Sequence, residues 1–168
     1  MRKLWHKIIS FFKKKKPDTV SINCPAGTRP PKHFKIALAY LGTKEIYGRE
    51  HNNVIVNFFK RVVGKAYSDE TAWCAAFVGS CLVESGLAST KALNARSYTH
   101  WGEIVKKPRR GDVLVFWRES PKSWKGHVGF YYGETEKDYI VLGGNQNNAV
   151  SLKKYPKSRL LGIRRHEG

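Results

Sequence analysis

The sequence predicts an α+β protein, with helices in its first half and an antiparallel sheet in its second. Between residues 34 and 86, apolar residues recur at helical spacing and glycines mark the ends of the segments. After residue 110, short runs rich in β-branched and aromatic residues alternate with turn residues. Helices followed by strands in this way favour a helical layer packed on one sheet.

Composition limits the chain to one core and points to anionic partners. With 168 residues, of which 41% are hydrophobic, the chain is long enough for a single domain with a tail. The net charge of +18 predicts attraction to polyanions, whether nucleic acid, anionic lipid, lipopolysaccharide or an acidic cell wall. Because the sequence has no zinc-finger spacing and no aromatic ribonucleoprotein motif, we expect no specific nucleic-acid partner.

The three cysteines, Cys24, Cys74 and Cys81, do not form a disulfide framework. Cys74 and Cys81 would lie two helical turns apart, roughly 10 Å, which is too far for a bridge. Unpaired cysteines indicate synthesis in a reducing compartment. The sequence has no metal-ligand spacing and no apolar run of about 18 residues, so we expect neither a metal or other cofactor nor a membrane span.

Residues 1–16 are predicted to form a basic amphipathic helix of the kind that lies in a membrane interface. Leu4, Ile8 and Phe11 share one face, and lysines crowd the rest. The alternative is a solvated, disordered terminus. Because His6 and Lys7 interrupt the apolar region and no cleavage site follows, the segment does not match a signal peptide. Residues 17–33, rich in proline, form a predicted linker, and residues 34–168 the globular domain.

The remaining elements follow from periodicity and turn residues. Predicted helices cover residues 34–41, 51–63, a segment from Cys74 to a stop at Gly86, and 97–101. Residues 68–71 offer capping oxygens to the third helix. Predicted strands cover residues 113–117, 127–132, 139–142, 149–152 and 160–164, which gives a five- or six-stranded antiparallel sheet.

Cys74 is the first candidate for chemistry. At a helix N-terminus, free N–H groups and about half a positive charge favour a thiolate, the nucleophilic form. The alternative is a small buried hydrophobe. Downstream, His127 begins an apolar strand between small residues, and Asn145 and Gln146 follow the next strand. A cysteine, a histidine and a polar amide in this order are the set that a thiol hydrolase needs.

Four segments together resemble the CHAP-like cysteine peptidoglycan hydrolases, within the wider papain-like and NlpC-type thiol hydrolases. They are residues 72–78, 108–116, 126–130 and 142–146, and the resemblance spans residues 34–165. The Leu-Gly-Gly-Asn-Gln segment is similar to that of small phage-type endolysins. The resemblance implies a papain-like fold with the nucleophile at a helix N-terminus. It also implies cleavage of an amide in the peptide stem, as an N-acetylmuramoyl-L-alanine amidase or a stem endopeptidase.

The resemblance also implies roles for individual residues. Cys74 matches the nucleophile, and its backbone N–H would form part of the oxyanion hole. His127 matches the general base, and Asn145 the residue that orients its imidazole, with Gln146 as the competitor for that role. For two further residues, the sequence is compatible with two roles each. Glu45 either lines the substrate groove or caps a turn, and Trp73 forms either a groove wall or part of the core.

The leading hypothesis is therefore a phage endolysin that acts as a monomer on peptidoglycan. It would be made in the host cytoplasm without a signal peptide and act at the cell wall or periplasm, with residues 1–16 contacting an anionic membrane or lipopolysaccharide. One alternative is a secreted antibacterial amidase effector. Another is a cationic membrane-binding protein on an inactive thiol-hydrolase scaffold.

Overall fold

The computed structural model describes residues 29–166 and confirms the α+β class. The predictions for residues 1–16, for Cys24 and for most of the linker fall outside the described residues. The helices are α1 (Lys32–Ala39), α2 (Asn53–Val63) and α3 (Cys74–Ser85), with 3-10 helices at Ala95–His100 and Lys157–Arg159. The strands are β1 (Glu103–Ile104), β2 (Val113–Trp117), β3 (Gly126–Glu134), β4 (Asp138–Gly143), β5 (Ser151–Pro156) and β6 (Leu160–Arg165).

The six strands form one antiparallel sheet in the order β1-β6-β2-β3-β4-β5. Alternate residues of β2 face opposite sides, as the pleat of a strand requires. Val113 and Val115 belong to the main core under the helices, whereas Leu114 and Phe116 belong to a smaller apolar cluster on the other face. Both faces of the central strands are therefore covered.

Helix α3 is the centre of the main core. Its residues 74–82 are all buried, and it packs against α1, α2 and β3. Small side chains allow this close approach. A Cβ added at Gly79 would lie 2.7 Å from the hydroxyl of Tyr98 and 2.8 Å from a methyl of Val62. The helix ends at Gly86, whose φ of +97° is the left-handed conformation that glycine adopts without strain.

Several helices and strands begin or end at residues other than those predicted. Strand β5 covers Ser151–Pro156 rather than residues 149–152, and the short strand β1 was not predicted. Helix α1 begins at Lys32, so His33 belongs to the globular part instead of the linker. The His33 ring is buried, with Nε2 2.8 Å from the carbonyl of Gly111. No helix within residues 29–166 is long and apolar enough to cross a bilayer.

The predicted cap of α3 was wrong. Trp73 is the N-cap residue of α3, and its side chain makes no capping bond. Asp69, from the predicted capping segment, is instead fully buried and accepts the backbone N–H groups of Ile46 and Asn52 and Nδ1 of His51, each at 2.9 Å. Burial acts to raise the pKa of Asp69, but these bonds outweigh it and lower the pKa. Asp69 thus fixes the loop that precedes α2.

Candidate active site

Cys74 and His127 line one cleft of about 550 Å³ between the start of α3 and the end of β2–β3. Antiparallel pairing of β2 and β3 places His127 opposite Phe116, near the cleft end of both strands. Asn145 lines the same cleft, whereas Gln146, Glu45 and Trp73 do not. The full lining is Ala72, Cys74, Leu93, Asn94, Ala95, Arg118, Glu119, Trp124, Lys125, Gly126, His127, Asn145, Asn147, Asn148 and Lys153.

The Cys74 thiol lies at the first residue of α3, against strand β3. The backbone N–H groups of Val128 and Ala75 reach its sulfur. Burial nevertheless raises the pKa of Cys74 above its ordinary value, although these N–H groups and the charge of Arg118 act to lower it. The desolvation of the sulfur thus outweighs the stabilisation of the thiolate by the N–H groups near the start of α3.

The imidazole of His127 is buried, and its Nε2 lies 3.0 Å from Oε1 of Gln146. Burial lowers the pKa of His127 from 6.5 to about 4. The bond to Gln146 acts against this shift, and the charges of Arg118 and Lys153 lower the pKa further. At neutral pH the ring is therefore uncharged and can accept a proton.

The orientation of the Gln146 amide fixes the tautomer of His127. Its Nε2 donates to the carbonyl oxygens of Ser151 at 2.5 Å and Val141 at 3.3 Å, so its oxygen is the atom that faces the imidazole. An amide oxygen can only accept, so His127 carries its proton on Nε2. The other ring nitrogen, Nδ1, then holds a free lone pair and is the basic atom of the site.

The structure thus gives the imidazole contact to Gln146, the competitor, and not to Asn145. Asn145 has a φ of +53°, a left-handed conformation that asparagine tolerates better than most residues. Its side chain is partly exposed in the cleft, whereas that of Gln146 is 1% exposed and turned inward. Gly143 leaves room for this contact, because a Cβ there would lie 2.7 Å from Oε1 of Gln146 and 3.1 Å from Nε2 of His127.

An aromatic ring covers the histidine. The ring of Tyr155, on β5, stacks on His127 with centroids 4.6 Å apart and an interplanar angle of 9°. Tyr155 itself stacks on Phe116 at 5.0 Å. These contacts restrict rotation of the imidazole and keep water from one of its faces.

Trp73 and Glu45 support the site from outside the cleft. Trp73 is fully buried, so it is part of the core and forms no groove wall. Its indole N–H donates to Oε1 of Glu45 at 2.6 Å. Gly144 packs on the other side, since a Cβ there would lie 2.6 Å from the indole ring and from Cβ of Phe77. Together these contacts hold the residue directly before Cys74.

A loop formed by residues 118–125 makes one wall of the cleft. Arg96 donates to the carbonyl oxygens of Ser123 and Pro121 and so ties this loop to the 3-10 helix Ala95–His100. Trp124, in the loop, is 70% exposed and lines the cleft. This wall presents both an aromatic surface and charged side chains to a ligand.

Sequence reasoning missed two residues beside the site, Tyr155 and Arg118. Tyr155 lies beyond the predicted end of its strand, in a mostly exposed edge strand whose apolar pattern is weak. Arg118 directly follows β2, whose end pairs with Gly126 at the start of β3. Antiparallel pairing of the two predicted strands would have placed Arg118 near His127.

Among residues 29–166, no group of three or more His, Cys, Asp or Glu side chains is positioned to hold a metal ion.

No protein-family model matches the chain, and no curated protein matches it. Among solved structures, the chain is similar to a Staphylococcus aureus protein described as similar to lipoprotein, NLP/P60 family. The identity is 14% and the TM-score 0.49, over 86% of this chain and 46% of that one, so this chain spans less than half of that structure's length. At these values the likeness carries no conclusion about activity.

Proposed function

We propose that this protein is a cysteine hydrolase that cleaves an amide bond in the peptide part of peptidoglycan. One observation carries the proposal: Gln146 accepts Nε2–H of His127, which leaves Nδ1 as the basic nitrogen of a residue that lines the same cleft as Cys74. The substrate class comes from the resemblance of four sequence segments to CHAP-like and NlpC-type hydrolases.

The pKa directions support a neutral resting pair of thiol and imidazole. As Cys74 attacks the amide carbonyl, Nδ1 of His127 takes the thiol proton and an imidazolium forms. The C–S bond forms, the carbonyl oxygen becomes an oxyanion, and backbone N–H groups at the start of α3 stabilise it. His127 then protonates the leaving amine as the C–N bond breaks, which gives a thioester. Water activated by His127 hydrolyses the thioester and regenerates the thiol.

Gln146 performs the orienting role in this scheme, in place of Asn145. A neutral amide fixes the tautomer and adds no negative charge to stabilise the imidazolium. As the proton moves from Cys74 to His127, the negative charge that develops on sulfur would be stabilised by the N–H groups around it, and the imidazolium by the substrate itself.

The role as a phage endolysin, made in a host cytoplasm and acting at the cell wall, stays a prediction from the sequence resemblance. A secreted antibacterial amidase effector would use the same chemistry. The candidate from another class, a cationic membrane binder on an inactive scaffold, is disfavoured because the cysteine, the histidine and an orienting amide are all present.

The test is digestion of purified, lipid-free peptidoglycan, followed by mass spectrometry of the soluble products. The proposal expects pairs of products whose summed mass exceeds that of the uncut material by one water per amide cut. One product of each pair gains a free amine and the other a free carboxylate, and their masses identify the amide that is cut. An absence of soluble fragments in spite of binding to the wall would favour the inactive-scaffold alternative. New reducing sugar ends would contradict amide hydrolysis.

A further inference from the structure

The cleft carries positive charge that proton transfer between Cys74 and His127 does not require. Among its lining residues are three cations, Arg118, Lys125 and Lys153, and one carboxylate, Glu119. Glu119 and Lys125 pair with each other at 2.6 Å. Two positive charges, those of Arg118 and Lys153, therefore remain without a carboxylate in this cleft.

The charge of Arg118 is close enough to Cys74 and His127 to shift their pKa values electrostatically. Its charge acts to lower the pKa values of Cys74 and His127 alike. It therefore favours the thiolate but disfavours the imidazolium, so it gives no clear net benefit to the ion pair that the reaction forms. Within residues 29–166 the guanidinium makes no ion pair, and the side chain is exposed.

Lys153 and Tyr155 are two residues apart on β5 and so lie on the same face of this strand. The Tyr155 ring is the one that covers His127. The ammonium of Lys153 donates to the amide oxygen of Asn147 at 3.1 Å and lies 6.0 Å from the centre of the Tyr155 ring. Both partners are neutral. The amide and the ring orient the lysine next to the cleft without cancelling its charge.

We infer that Arg118, assisted by Lys153, binds a free carboxylate of the substrate close to the amide that is cut. This inference rests on the proposed function and specifies its substrate class: an acidic peptide stem with the carboxylate free, in preference to the same stem with that carboxylate amidated. A guanidinium offers two parallel N–H donors that match a carboxylate. A bound carboxylate would also offset the charge that otherwise opposes protonation of His127.

The experiment compares two soluble muropeptides that are identical except at the acidic residue of the stem, which carries either a free carboxylate or a carboxamide. The kcat/KM for each is measured at low and high salt for the parent, Arg118→Gln, Arg118→Lys and Lys153→Gln. Arg49→Gln is the control, since Arg49 is an exposed arginine outside the cleft. Because a hydrogen bond to a charged group changes an affinity by roughly 10- to 150-fold, we expect kcat/KM of the parent to be roughly tenfold or more higher for the free acid.

Arg118→Gln should lose most of this preference, mainly through KM for the free acid. Arg118→Lys should restore part of it, and Arg49→Gln should keep it. Equal kcat/KM for the two muropeptides with the parent would overturn the inference while leaving the proposed function intact, and so would a preference that persists in Arg118→Gln. If the parent cleaves neither muropeptide nor purified peptidoglycan, the proposed function itself fails and the inference with it.

Discussion

Gln146 determines which nitrogen of His127 is basic, because the hydrogen bonds of its amide nitrogen fix the direction in which its amide oxygen points. Two backbone carbonyls, those of Val141 and Ser151, take its N–H groups and leave its oxygen for the imidazole. The neighbouring Asn145, one residue earlier, lacks these contacts among the hydrogen bonds of residues 29–166. Two adjacent amides with similar chemistry therefore have different expected roles.

The first prediction compares these two amides. Gln146→Ala removes the acceptor for Nε2–H and should lower kcat roughly 10- to 100-fold, because orienting a base has a smaller effect than supplying one, which is worth about 10²–10⁴-fold. Asn145→Ala should change kcat less, and His127→Ala should be the most severe of the three. The measurement is hydrolysis of a soluble muropeptide under saturating substrate. A larger loss for Asn145→Ala than for Gln146→Ala would return the orienting role to Asn145.

The second prediction concerns pH. Protonated His127 cannot accept the thiol proton, so activity should fall as the pH drops through the pKa of this residue, which burial lowers to about 4. The acidic limb of kcat/KM should therefore have its midpoint near pH 4, well below the ordinary histidine value of 6.5. Circular dichroism at each pH controls for acid unfolding. A midpoint at 6 or above would show that the free enzyme does not hold His127 in a desolvated, neutral state.

At the scale of single residues, the sequence could predict that Cys74 and His127 line one site, since Cys74 begins a helix and His127 begins a strand beside glycine. It could not decide between Asn145 and Gln146. The choice depends on the left-handed φ of Asn145 and on carbonyls of β4 and β5 that lie outside the motif.

At the scale of elements, the start of α3 is held by tertiary contacts in place of a side-chain cap. Trp73 stands at the N-cap position, and the bond from its indole to Glu45 links α3 to the loop before α2. Backbone bonds continue this link: Glu45 donates to the carbonyl of Asn148, next to the turn that lines the cleft. Glu45 therefore ties together two of the segments that surround Cys74.

The third prediction tests this link. Glu45→Ala should lower the free energy of unfolding by about 1–2 kcal/mol, because the Trp73 indole N–H loses a charged acceptor in a partly buried place. Urea denaturation measures this change. Glu50→Ala removes an exposed carboxylate from the same loop and is the control, for which a change within about 0.5 kcal/mol is expected. Equal effects of the two substitutions would mean that the bond to Trp73 contributes nothing.

Element types were predicted more reliably than element ends. The apolar strands β2 and β3 stand out in the sequence because both of their faces are largely buried. Strand β5 is an edge strand and mostly exposed, so its apolar pattern is weak, and Tyr155 was missed with it. Strand β1 has only two residues, too few to show any period. The cap of α3 was mispredicted because Asp69 bonds to a loop distant from that helix start.

At the scale of the whole molecule, the dominant feature is the net charge of +18. Part of this charge lies at the cleft, where we assign it to substrate recognition. Another part lies in residues 1–16, outside the described residues, where apolar residues at helical spacing surrounded by lysines predict an interfacial helix. Because the two parts would act on different ligands, they can be tested separately.

The fourth prediction concerns the tail. Basic residues near an anionic surface contribute about 1 kcal/mol each before screening, so deletion of residues 1–16 should weaken binding to anionic vesicles. Binding by the full chain should fall as salt rises. The same deletion should leave hydrolysis of purified, lipid-free peptidoglycan largely intact. Vesicle co-sedimentation of both forms at low and high salt is the measurement, and equal binding by the two forms would assign membrane attraction to the globular domain.

The most direct test of the central claim is the rate of amine release from purified peptidoglycan by the parent, Cys74→Ser and Cys81→Ser. Both cysteines are buried in α3, so the two substitutions are matched in chemistry, and circular dichroism verifies that each variant folds. Loss of a catalytic nucleophile costs several orders of magnitude, so we predict that Cys74→Ser falls by roughly 10³-fold or more while Cys81→Ser keeps most of the rate. Amine release by folded Cys74→Ser at a rate close to the parent's would contradict the account.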